Sequence, residues 1–286
     1  MAQPNLFSDL SLDPLFLSGL AVLSAQALYY AGHWFLGGRP QKERAMEGFE
    51  RVLVSGVLFG IALILINLSL WGLNIYLSVA DVRLPDNSAI QRLNQTKGWW
   101  DFGGNVQAAL SVAEQTYKSY ATASGAILAA YSAAVVGFGL THWTSAISMA
   151  ILNVFAFLVT AATTVLISAG VYAVAMVLAH TWPALLPLGA VLVTYERTRN
   201  LGAWLLAVSV VAPTVLTAGA DVLRSAVDPA DIAALAGMVT PLFVFFNADP
   251  LLMAMILLGL IGLVLGVVTY AASRLFDHAG ASLSLE

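Results

Sequence analysis

Long apolar runs separated by shorter polar stretches make up most of the chain. A spanning helix needs about 20 apolar residues in a row, because the hydrocarbon core is about 30 Å thick and an α-helix rises about 1.5 Å per residue. The runs at 14–35, 52–80, 119–140, 143–180 and 251–273 meet that length. The run 143–180 is long enough to tilt steeply or to break in two. The run 201–220 also qualifies, but Pro213 lies inside it and predicts a kinked span. Proline removes a backbone hydrogen bond, and in lipid the freed carbonyl must be met by a neighbour or by water. The pattern predicts an all-α polytopic transmembrane helix bundle, a single domain of about six spans.

The polar stretches predict the connections. Residues 39–51 read as a short charged connector, and 81–118 as the longest polar connector, with Trp99 and Trp100 marking a membrane surface. Within it, Val106, Leu110, Ala113 and Tyr117 repeat on one helical face, which predicts an amphipathic helix at the interface. Residues 221–234 form an acidic connector. The segment 235–247 contains Pro241 and is short for a span, so it reads as a re-entrant piece. No Asp, Glu, Lys or Arg occurs from 119 to 195, yet Pro183 and Pro187 stand four apart there. Two prolines at that spacing predict a broken segment, either a re-entrant turn buried against protein or an interfacial loop. The positive-inside rule, applied to the basic 39–51 connector, places the amino end outside. No positively charged leader precedes the first apolar run, so that run is expected to be a retained span rather than a cleaved signal.

Composition agrees with the pattern. Residues of the AVILMFWYC set make up 59% and charged residues 10% of 286, against about 25% charged in soluble domains. Such a chain lacks the polar surface a water-facing globule needs. The net charge of −4 gives no basic footprint for a nucleic-acid duplex. There is no cysteine, which excludes disulfides, thiolate metal sites and cysteine nucleophiles.

The chemical motifs are mostly absent. No G-x-x-x-x-G-K-[ST], H-E-x-x-H or G-x-S-x-G occurs, so self-powered transport, zincin chemistry and a serine elbow are not expected. The four histidines are scattered, and neither metal nor cofactor is expected; the chain does not read as an enzyme. The apolar runs also lack the carboxylate that ion-coupled carriers keep at membrane depth. Their polar candidates are Asn67, Asn74 and Asn153, which either join helices or line a pore. Gly56/Gly60, Gly262/Gly266 and the alanines 129, 130, 133 and 134 suit close helix contact, within the bundle or against another subunit.

The segment 185–213, LLPLGAVLVTYERTRNLGAWLLAVSVVAP, resembles a segment of the CedA-like family. These are archaeal polytopic membrane subunits related to the inner-membrane channel protein of type IV secretion. The matching positions are Leu186, Pro187, Gly189, Thr198, Arg199, Gly202, Ala203 and Pro213. Asn200 stands where that family has glycine, and Tyr195-Glu196 replaces its proline before the turn. The resemblance implies a cell-membrane channel or scaffold subunit of a conjugation-related DNA-import machine. It also implies other small membrane subunits, a separate ATPase, membrane lipid as surroundings, single-stranded DNA as cargo and a homo- or hetero-oligomer. Arg197 and Arg199 would then meet phosphates at a pore mouth, or else anchor a helix end at lipid headgroups. Pro183, Pro187, Gly189, Gly202 and Pro213 would shape the turn and its packing. A small-solute transporter or channel, and a structural scaffold of a secretion or pilus platform, are the competing expectations.

Overall fold

The structure is a computed structural model of the whole chain. It describes residues 14–79, 88–90, 102–139, 145–237 and 247–283. Trp99, Trp100 and most of the 235–247 segment lie outside the described residues. The elements are α1 (Pro14–Leu36), α2 (Arg39–Val79), α3 (Phe102–Gly139), α4 (Ser145–His180), α5 (Trp182–Val193), α6 (Arg199–Ala226), α7 (Pro229–Ala236) and α8 (Asp249–Leu283). The fold is all-α, and no strand occurs among the described residues.

Five helices are long and apolar enough to cross a membrane: the spans Arg39–Ile66, Val106–Val136, Ala156–His180, Arg199–Ala226 and Asp249–Ser282. The sixth expected span, 14–35, is present as the 23-residue α1, which is not among those five. The outer faces carry large apolar side chains in bulk. Leu53 is 71% exposed, Val174 66% and Leu263 62%. Apolar surface on this scale has no stable place in water, and lipid covers it. The chain is a membrane protein.

Two connector segments expected from the sequence are the first parts of long helices. Residues 39–51 form the start of the 41-residue α2. Their Glu, Lys, Arg and Gln are good helix formers, and Pro40 falls in the first turn where its missing N–H costs nothing. Gly37 and Gly38 make the break from α1, and the Gly38 N–H donates to Gln41 Oε1 at 2.9 Å as in a capping box. The expected amphipathic interfacial helix is the first part of the 38-residue α3. Its stripe of Val106, Leu110, Ala113 and Tyr117 is buried, but against other helices of the bundle. The 143–180 run stays in one helix from Ser145.

The proline-broken segment takes the form of a short helix. The break falls at Thr181, and Pro183 and Pro187 both sit inside the short helix α5. Pro183 occupies the first turn, where its missing N–H is harmless. Pro187 cannot donate to the Pro183 carbonyl, and the Ser18 hydroxyl of α1 donates to it instead, at 3.0 Å. A neighbouring helix thus supplies the bond that proline removed. With 12 residues, α5 is about 18 Å long and too short to span, so it is a buried half-length helix.

α6 forms the centre. It touches α2, α3, α4, α5 and α8, and most of its length is buried, with Leu206, Leu216 and Leu223 fully so. Pro213 lies inside it and is buried. α5 folds back on α6 at their glycines: a Cβ added to Gly202 would lie 2.7 Å from the Leu192 carbonyl carbon and 2.8 Å from the Gly189 carbonyl oxygen. Small residues here let two backbones touch. Tyrosines tie α3 to this centre and α4 to α8. Tyr117 donates to Leu216 O at 2.9 Å, Tyr172 to Leu258 O at 2.7 Å, and Tyr120 to Leu223 O at 3.2 Å and to Val227 O.

Candidate functional site

One end of the bundle gathers the basic turn. The segment 194–198 closes the α5–α6 hairpin, with Thr198 O accepting from Gly202 N at 2.9 Å and Thr198 Oγ1 donating to Leu192 O at 2.9 Å. The Thr198 hydroxyl is therefore turned back to α5, and α6 starts with no side-chain cap and no acid in its first turn. Beside the turn is a cavity of about 480 Å³ lined by Arg51, Leu192, Tyr195, Glu196, Arg197 and Thr198. Arg197 is exposed and Arg199 half-buried.

Arg51 reaches this cavity from α2, and its guanidinium lies over the Tyr195 ring at 5.2 Å from the centroid. Such stacking braces the flat cation, and the Tyr30 hydroxyl also interacts with it. Tyr195 is itself fixed, its hydroxyl 2.8 Å from that of Tyr30 and 3.4 Å from Gln26 Nε2. Among the described residues, no carboxylate lies within 4.0 Å of Arg51 or Arg197. The local charge is positive, with Glu196 the one acid in the lining. The sequence pointed to Arg197 and Arg199 but not to Arg51. Arg51 is the last charged residue before an apolar run, just as Arg199 is, and that shared position was a usable signal.

The candidate turn and packing residues divide by place. Gly189 and Gly202 form the close approach of α5 and α6, Pro183 and Pro187 shape α5, and Pro213 lies deeper in α6. Asn67 and Asn74 lie in α2 and Asn153 in α4; their side chains fall outside the described residues. The small-residue faces separate as well. Gly262 packs against the Tyr172 hydroxyl, whereas a Cβ at Gly60, Gly259 or Gly266 would meet nothing within 4 Å.

A carboxylate that the sequence assigned to a connector is buried in a span. Asp221 lies in α6, 1% exposed. Its Oδ1 accepts from Ala89 N at 2.9 Å and its Oδ2 from Ile90 N at 2.8 Å. Residues 89 and 90 begin a helix, so Asp221 caps first-turn amides that have no partner of their own. Glu114, in α3, pairs with Lys118 one turn on and lies 3.9 Å from His180 Nε2. No group of three or more His, Asp or Glu suited to a metal occurs among the described residues.

No protein-family model, curated protein or solved structure matches the chain.

Proposed function

We propose that the chain is a cell-membrane channel or scaffold subunit of an archaeal, type IV secretion-like DNA-import machine, energised by a separate ATPase. The observation that carries this reading is the α5–α6 hairpin. Leu186, Pro187, Gly189, Thr198, Arg199, Gly202 and Ala203, which carry the family resemblance, fall in one folded unit whose tip is basic. A polyanion approaching that end would meet Arg197, exposed in the turn, with Arg199 two residues on at the start of α6. Two carboxylates within the spans are already engaged: both oxygens of Asp221 are taken by amides, and Glu114 is paired with Lys118.

The axis of the single chain is filled by α6, so a conduit would run between subunits. Glycines of α8 that meet nothing, Gly259 and Gly266, offer a surface for close packing by a neighbouring helix. The same filled axis favours a second reading, a structural scaffold with no conduit.

Replacing Arg197 with Gln, alone and together with Arg199→Gln, separates the two. In cells that take up DNA through this machine, uptake should fall several-fold at unchanged membrane levels of the protein. Unchanged uptake would remove both arginines from any DNA path and leave the scaffold.

A further inference from the structure

We propose that the cavity at the α5–α6 turn seats the phosphate headgroup of one anionic phospholipid, held by Arg51 and Arg197. Two guanidinium groups from different elements border one opening of about 480 Å³. Neither has a carboxylate within 4.0 Å among the described residues. Arg51 is held in place by its stack on Tyr195, and Tyr195 by Tyr30, so the cation is set before any ligand arrives. The uncapped start of α6 adds the positive end of a helix dipole on the same side. Planar guanidinium groups suit phosphate because they can donate two parallel bonds.

The neighbourhood selects a lipid over a soluble phosphate. Leu188 lies four residues before the lining residue Leu192 in α5, and Leu201 three after Thr198 in α6. These spacings put each on the face of the lining residue it follows or precedes. Both are exposed, as is Trp204 a further turn along α6 at 55%. An apolar strip therefore leads from the cavity toward the lipid-covered part of the bundle. A phosphate would sit at Arg51 and Arg197 and acyl chains would follow Leu188, Leu201 and Trp204. A tryptophan beside the headgroup level is the usual arrangement at a membrane surface.

The seat depends on Arg51, which the proposed DNA contact does not require, so the two ideas fail separately. The test is native mass spectrometry of the delipidated full chain in neutral detergent, titrated with phosphatidylglycerol, with phosphatidylcholine and with inorganic phosphate as competitor. One phosphatidylglycerol per chain should persist, and phosphatidylcholine should bind more weakly. Arg51→Gln should weaken phosphatidylglycerol by about tenfold, the size expected from losing a charge-assisted pair. Arg51→Lys should fall between, and Arg224→Gln, at the other end of α6, should bind as the parent does. The proposal is overturned if Arg51→Gln binds phosphatidylglycerol like the parent, if phosphatidylcholine binds equally well, or if inorganic phosphate displaces the lipid completely.

Discussion

Gly202→Ala will unseat the α5–α6 hairpin and lower the melting temperature of the detergent-solubilised protein sharply. The added methyl would lie 2.7 Å from Leu192 C and 2.8 Å from Gly189 O, and closer still to Val193 N. All three are backbone atoms, which cannot rotate away as a side-chain end can. The helices must separate, and that separation disturbs the Gly189–Leu206 contact and the seat of Gly280 against Val193. Overpacking of this kind costs roughly 3 kcal/mol. Gly60→Ala is the matched comparison, since its new methyl meets nothing within 4 Å. It should lose no stability, because alanine is the better helix former. Equal melting of the two variants would mean that α5 and α6 do not touch as described.

Asp221→Ala should destabilise by a similar amount through a different cause. It strands two buried amides, Ala89 N and Ile90 N, whose acceptors are the two carboxylate oxygens. Each buried unpaired donor costs about 1–3 kcal/mol, so the loss should be roughly 3–5 kcal/mol. Asp221→Asn keeps one oxygen and should fall between. Hydrogen exchange at Ala89 and Ile90 gives the local readout: both amides should be protected in the parent and exchange rapidly in the alanine variant. An alanine variant that melts like the parent would show that the carboxylate is dispensable as a cap.

The spans were legible because lipid imposes a length and an apolarity that a sequence displays directly. Their ends were not, and the reason is physical. Glu, Lys, Arg and Gln in 39–51 are poor in lipid but good in helices, so polarity ends a membrane segment without ending the helix. α2 and α3 therefore run on through their charged stretches. The stripe from Val106 to Tyr117 announced a buried face correctly but could not say whether lipid or protein covered it. Contacts between distant segments left no local trace at all. Ser18 rescues a carbonyl 165 residues away, and Asp221 caps amides about 130 residues before it. At the candidate site the turn with Arg197 and Arg199 was visible because prolines and charges mark it. Arg51 shared with Arg199 only its place before an apolar run, and its approach to Tyr195, in a turn 144 residues on, left no local trace.

The account depends most on α6 crossing the membrane, with the Arg197 turn on one side and Arg224 on the other. The chain has no native cysteine, so single cysteines can be introduced without background. Glu196→Cys, Arg224→Cys and Val171→Cys, all at exposed positions, should be challenged in sealed oriented vesicles with a membrane-impermeant maleimide. Glu196→Cys and Arg224→Cys should label from opposite faces, and Val171→Cys, covered by lipid, should label from neither until detergent is added. Labelling of the first two from the same face, or ready labelling of Val171→Cys in intact vesicles, would contradict the account.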